Sequence, residues 1–217
     1  MSAITLILAA TACAHSVRHQ SGSTTGTGPL SARTVEGVRF VPVLHQRSRP
    51  GSDVQKDCRR TATAVGFPVP CPRLLPAEAQ PTSPGPACPT RYVAMYIHPA
   101  CVGHGLAFLS VEWPANRRVG HLVISATQRA FEPRRAIAAP VPPVATDTVQ
   151  IMGATTVRGR HALWLKIPGI SSSAYGGHTV LFWKEGGHSY LVGFHGHDPA
   201  ARSLDVVVAR TLILVRP

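Results

Sequence analysis

From Arg91 onward, apolar and polar positions alternate in short runs, the signature of half-buried strands. Tyr92–His98 (YVAMYIH), Leu106–Trp113 (LAFLSVEW), His121–Thr127 (HLVISAT), Thr148–Met152, Thr155–Val157 and His161–Ile167 (HALWLKI) each read this way. PACVGHG forms a hairpin loop between the first two, and Arg158-Gly159-Arg160 makes a turn. The best-formed unit is Gly177–His197, GHTVLFWKEGGHSYLVGFHGH. Gly186-Gly187 supplies a two-residue turn, in which both positions need φ > 0. That register opposes Glu185 to His188, Trp183 to Tyr190, Leu181 to Val192 and His178 to His195. It puts Leu181, Trp183, Tyr190, Val192 and Phe194 on one face, and Val180, Phe182, Leu191, His178 and His195 on the other.

The period changes near the C-terminus. Leu204, Val207, Val208, Thr211 and Leu212 fall on one helical stripe, after Asp198-Pro199 in the form of an N-cap with proline at the first helical position. Their β-branched members lower intrinsic helicity, so this helix needs a sheet to pack on. The predicted fold is therefore α+β: an antiparallel sheet of hairpins with a C-terminal helix packed on one face. Upstream, Val35–Leu44 reads as a first strand, placed at an edge by Pro42, and Asp53–Val65 as a short helix capped by Ser52 or Asp53. Gly66–Thr90 holds eight prolines and reads as extended, loop-like chain. The organisation expected is a signal-type segment over 1–13, a Ser/Thr/Gly tether over 14–33, a Pro-rich segment over 34–90 and a sheet domain over 91–217.

Ala3–Ala12 is an uncharged, mostly apolar run of about ten residues, within the range of a signal h-region and too short to span a bilayer. It ends Ala10-Thr11-Ala12-Cys13, which resembles a bacterial lipobox and makes Cys13 the expected lipidation site. The expected location is extracytoplasmic, anchored to the cell membrane through Cys13, with plain secretion as the alternative. Four cysteines then remain, Cys58, Cys71, Cys88 and Cys101, an even number suited to disulfides in an oxidising compartment. Three pairings exist. Cys58–Cys71 with Cys88–Cys101 is the expected set, because both close short loops across Pro-rich chain.

Charge and composition exclude more than they assign. The net charge is +12, nearly all from arginine, with lysine only at Lys56, Lys166 and Lys184. Such a balance attracts anionic lipid or envelope polymer. The Arg-Arg pairs are scattered, and aromatics do not interleave with them as a nucleic-acid platform requires, so no nucleic-acid role is expected. Ser171–Ser173 lack a Gly-x-Ser-x-Gly elbow, and the ten acidic residues show no paired carboxylates at a glycosidase spacing. A non-enzymatic binding protein is the leading reading, and a hydrolase ranks third. Between them stands a metal site. His178, His195 and His197 fall on one side of the hairpin and can ligate Zn or Cu in the two-residue register. Otherwise no cofactor is expected. A carrier needs only an apolar groove, for which Trp164, Phe182, Trp183, Tyr190 and Phe194 are candidates; the alternative for each is core.

The turn at Gly159, the Trp183…Gly-Gly…Tyr190 hairpin and the closing helix together resemble the C-terminal half of actinobacterial secreted lipoproteins of unknown function. They also loosely resemble sheet-plus-helix carriers of the LolA/LolB/RseB type. The resemblance covers Val149–Val215. It implies an envelope lipoprotein with a convex sheet and a lipophilic groove, and it carries over no catalytic residue.

Overall fold

A computed structural model describes residues 30–43, 54–81, 106–115, 118–128, 149–168, 176–196 and 199–217. Most of these lie in antiparallel strands, with two helices among the described residues, so the class is broadly α+β.

The chain enters as a hairpin, β1 (Arg33–Val35) and β2 (Val38–Pro42), where one strand was expected. Glu36 and Gly37 both take positive φ, 48° and 76°, and fold the run on itself. The edge position that Pro42 suggested is not found, since this second strand has a partner on both sides; Pro42 is tolerated because it sits beyond the β1 ladder, which ends at Arg33↔Phe40. Helix α1 (Val54–Val65) follows, within the helical span the sequence marks. Its positions 54, 57, 58, 61, 62 and 65 are buried, a three-four spacing that makes one inward stripe.

The Pro-rich segment corrects the loop reading. It contains three short strands, β3 (Val69–Cys71), β4 (Leu74–Pro76) and β5 (Gln80–Pro81). Each reaches a partner distant in sequence: β4 pairs β2, β5 pairs β6, and β3 pairs the C-terminal β12 (Ile213–Val215). Proline is tolerated because β3 and β5 each bond to a single neighbour.

The main sheet has seven strands in the order β5-β6-β7-β11-β10-β9-β8. Its members are β6 (Leu106–Ala115), β7 (Arg118–Thr127), β8 (Gln150–Val157), β9 (Arg160–Lys166), β10 (His178–Glu185) and β11 (His188–His195). The β10–β11 register is the one expected, from Glu185↔His188 at the turn to His178↔His195 at the open end. Gly186 and Gly187 take φ of 59° and 81°, which a side chain would resist. Trp183 and Tyr190 stack across the strands, ring centroids 5.5 Å apart. The two predicted strand pieces before Arg158 are one strand, β8, with an irregularity between Ile151 and Gly153.

Each face of the sheet has its own core. The larger cluster contains Leu109, Trp113, Ile124, Leu181, Trp183, Tyr190 and Phe194 together with Phe40, Phe67, Leu74 and Leu75 from the N-terminal elements. Phe194 is the junction, meeting Phe40 at 6.2 Å and Trp113 at 5.4 Å, both edge-on. The second cluster, on the opposite face, holds Val123, Val149, Leu165, Ile167, Val180, Phe182 and Leu191.

Helix α2 (Pro199–Thr211) buries Ala201, Leu204, Asp205, Val208 and Ala209, so its stripe is rotated from the predicted one. Val207 and Thr211 are only half-buried, and Asp205 faces inward instead. One Asp205 oxygen accepts the Phe194 amide at 2.9 Å; the other, Oδ2, has no hydrogen-bond partner among the described residues. Burial holds this carboxyl well above the usual carboxylate range, opposed by the Phe194 bond. The folded state therefore keeps a proton that the unfolded state releases as pH rises above the ordinary carboxylate range, and stability falls with rising pH in that window. Asp205→Asn keeps the Oδ1 acceptor and removes the titration. It is expected to raise stability at pH 7, with the gain shrinking as pH falls into the ordinary carboxylate range. Paired urea melts of the two proteins across pH check this; a variant less stable than wild type at pH 7 would contradict it.

At the other end of the sheet, Arg158 in the β8–β9 turn ties three elements. Its guanidinium donates to both Glu185 oxygens, at 3.0 and 3.3 Å, and to the Leu212 carbonyl at 2.7 Å, which follows α2.

Candidate functional site

Polar groups gather at one end of the second face. Strand β11 stands between β7 and β10, with Phe194 opposite Leu122 and His195 opposite His178. Continuing the β7–β11 register by one residue sets His121 opposite His195. His121, His195 and His178 thus form one row across three neighbouring strands. Ser110 lies one strand further out. It pairs with Val123, two residues from His121 and on the same face. Gly193 leaves room beside His178: a Cβ there would come within 2.9 Å of Val180 and 3.7 Å of the His178 Cβ.

The side chains are linked in a chain of contacts. His178 Nδ1 is 2.9 Å from the Gly176 carbonyl, His178 Nε2 is 3.0 Å from His121 Nδ1, and His121 Nε2 is 2.6 Å from Ser110 Oγ. The carbonyl can only accept, so His178 Nδ1 carries the proton. With neutral rings, His178 Nε2 then accepts from His121 Nδ1–H, and His121 Nε2 accepts from the Ser110 hydroxyl. Burial, with His195 second, pulls His121 down to about 4, which keeps that ring neutral at physiological pH. His195 is exposed, its ring perpendicular to that of His178 at 5.2 Å. The backbone around it is fixed: Gly196 N–H donates to Gly177 O at 2.8 Å, and the Thr179 hydroxyl donates to Gly196 O at 2.7 Å.

Ser110 and His121 have the bond of a serine nucleophile and its base, yet Ser110 is 4% exposed and in mid-strand. An electrophile cannot approach a hydroxyl so enclosed, and the chain of contacts acts as an orienting network instead. What it orients are two imidazole nitrogens that face each other.

The structure brings together His178 and His195 of the predicted trio. His197 lies outside the described residues, as do Cys13, Cys88, Cys101 and Ser171–Ser173. His121 and Ser110 were not singled out by the sequence. Their only signal is phase, since His121 shares a strand face with Val123 and Ser125 along β7, and the β7–β11 pairing that gives the phase its meaning is non-local. Among the described residues, no group of three or more His, Cys, Asp or Glu side chains is placed to hold a metal ion. The five aromatics offered as groove lining are buried. Trp164, Trp183, Tyr190 and Phe194 belong to the larger cluster and Phe182 to the second, so they pack on opposite faces of the sheet.

Of the cysteines, Cys58 in α1 and Cys71 in β3 form a disulfide, the pairing expected, with both residues fully buried. No described helix is long and apolar enough to cross a membrane. In comparisons with known proteins, no family model matches the chain, and no curated protein or solved structure matches it.

Proposed function

We propose that the chain is an exported protein, anchored to the cell membrane through a lipidated Cys13, that works at the cell envelope by binding and not by catalysis. The observation that carries this reading is the Cys58–Cys71 disulfide. Such bonds persist in oxidising compartments and are reduced in the cytosol. The small-residue run before Cys13 and the Ser/Thr/Gly tether after it give the same compartment from sequence. In this reading the closing helix lies across the sheet, as in the sheet-plus-helix carriers the sequence resembles.

The partner is an anionic lipid, an anionic envelope polymer or a protein. Lys56, Arg59 and Arg60 project from the exposed side of α1 at three-four spacing, a compact cationic patch. Asp57, buried in the same helix, partners Arg60 at 3.5 Å and leaves the patch net positive. The aromatics, being packed in the core, leave contact with the partner to such surface groups.

Detergent phase separation of cells expressing the chain in a lipoprotein-processing host tests the anchor. The wild type is expected in the detergent phase and Cys13→Ser in the aqueous phase. A wild-type protein that stays aqueous overturns the proposal.

A further inference from the structure

We propose that the outer edge of β8 is a docking site for an extended, acidic segment of a partner protein, which adds to the seven-stranded sheet as one further strand. This surface is distinct from the cationic patch on α1, and the inference stands without the membrane anchor.

The backbone supplies the first argument. The main sheet has two edges, β5 and β8. A strand edge carries a row of unpaired N–H and C=O groups, which folded proteins guard with short strands, proline or charge. β5 has two of those guards: it is two residues long and ends in Pro81. β8 has eight residues, with neither proline nor a charged side chain among them. The turn at Arg158-Gly159, with φ of 52° and 73°, closes on Val157 and Arg160, a pair that exchanges both backbone hydrogen bonds. Bonded and non-bonded pairs alternate from there. Thr155 therefore bonds inward to Ala162, while Ala154 and Thr156 direct their N–H and C=O groups away from β9. The irregularity between Ile151 and Gly153 lies short of this stretch. The stretch is open to solvent: Gly153, Ala154 and Thr156 are exposed, and Ile151 beside them is 55% exposed.

Charge names the occupant. Arg160 and Lys166, at the two ends of β9, are in phase with Ala162 and Trp164 of the larger core cluster, so both lie on that face of the sheet. Arg202 of α2 joins them there. Its Nη2 is 3.7 Å from the sulfur of Met152, which packs against the same cluster. Its Nε is buried without a hydrogen-bond partner among the described residues. None of the three cations has an acidic partner among the described residues, and neither β8 nor β9 contains Asp or Glu. A strand added to β8 presents every second side chain on this face, about 7 Å apart, and stands about 10 Å from β9. That distance is about the Debye length at 0.1 M salt, so carboxylates at alternate positions feel the cationic border. A second copy of the chain, paired antiparallel through the same edge, would bring its own three cations to that face and be repelled.

Fluorescence anisotropy of a labelled peptide of alternating Glu and Val, matched to the eight residues of β8, tests the site when titrated with the full chain. The peptide is expected to bind, and to bind at least about tenfold more weakly when salt is raised from about 50 mM to about 500 mM. A peptide with Lys in place of Glu is expected not to bind. The Glu peptide with N-methylated amides keeps its charge but loses its donors, and is also expected not to bind. Thr156→Pro removes one outward N–H and no bond to β9, and is expected to weaken binding at least about tenfold; a thermal melt confirms that it folds. Arg160→Glu/Lys166→Glu is expected to weaken binding of the Glu peptide by at least about tenfold. No binding by the wild type, equal binding of the Lys or N-methylated peptide, or wild-type affinity in either variant overturns the proposal. So does a dimer in sedimentation that Thr156→Pro dissociates, since the occupant is then a second copy. Detergent partitioning through Cys13 is unaffected by any of these variants, so the two proposals fail separately.

Discussion

Trp183→Ala is expected to lower the unfolding free energy by about 3–5 kcal/mol. Trp183 is 0% exposed, stacks on Tyr190 and sits in the larger core cluster at the centre of the β9–β10–β11 pairing. Truncation leaves a cavity that strand backbones cannot collapse to fill, because both neighbouring ladders fix them. A total stability of about 5–15 kcal/mol for a domain makes this a large fraction. Trp183→Phe is expected to cost much less. Trp183 Nε1 is buried without a hydrogen-bond partner among the described residues, and phenylalanine removes that polar atom while keeping most of the stacked surface. Urea melts with unchanged slope check both; an alanine variant within about 1 kcal/mol of wild type would contradict the packing described.

Cys58→Ala/Cys71→Ala is expected to cost about 3 kcal/mol, from the loss of a cross-link over a sequence separation of 13. The bond joins α1 to β3, and β3 is in turn paired with β12 through Cys71↔Ile213. It therefore closes a short loop locally and, through that pairing, secures the chain's C-terminal strand. Because both cysteines are fully buried, reductant should act on the native protein only as fast as the region opens. The expected results are a lower urea midpoint for the double variant and a bond that survives reductant under native conditions. A double variant as stable as wild type would show that the helix and β3 are held by packing alone.

What the sequence made legible was local. The β10–β11 register follows from Gly186-Gly187, because two residues with φ > 0 permit one tight turn and the side-chain alternation does the rest. The Cys58–Cys71 pair was readable because a short loop favours closure. Non-local contacts were hidden. His121 meets His178 only because β7 pairs with β11, and no pattern within either strand announces that pairing. The strands of the Pro-rich segment were missed for the same reason: β3 finds its partner in β12, at the far end of the chain. Asp205 was missed because a carboxylate normally marks a helix's solvent side. Here it faces inward to meet the Phe194 amide, and turns the predicted stripe away from Val207 and Thr211. The turn at Glu36-Gly37 was missed because its first position is a non-glycine residue at φ 48°, and the single glycine at Gly37 also fits a continuous strand with a bulge.

The most direct test of the account is the intact mass of the protein purified from a host that processes lipoproteins, together with a non-reduced peptide map. The account predicts an N-terminus at Cys13 bearing a diacylglyceryl group, and a peptide pair linked through Cys58 and Cys71. A chain that retains Met1 and whose Cys58 and Cys71 are both alkylated without reduction would contradict it.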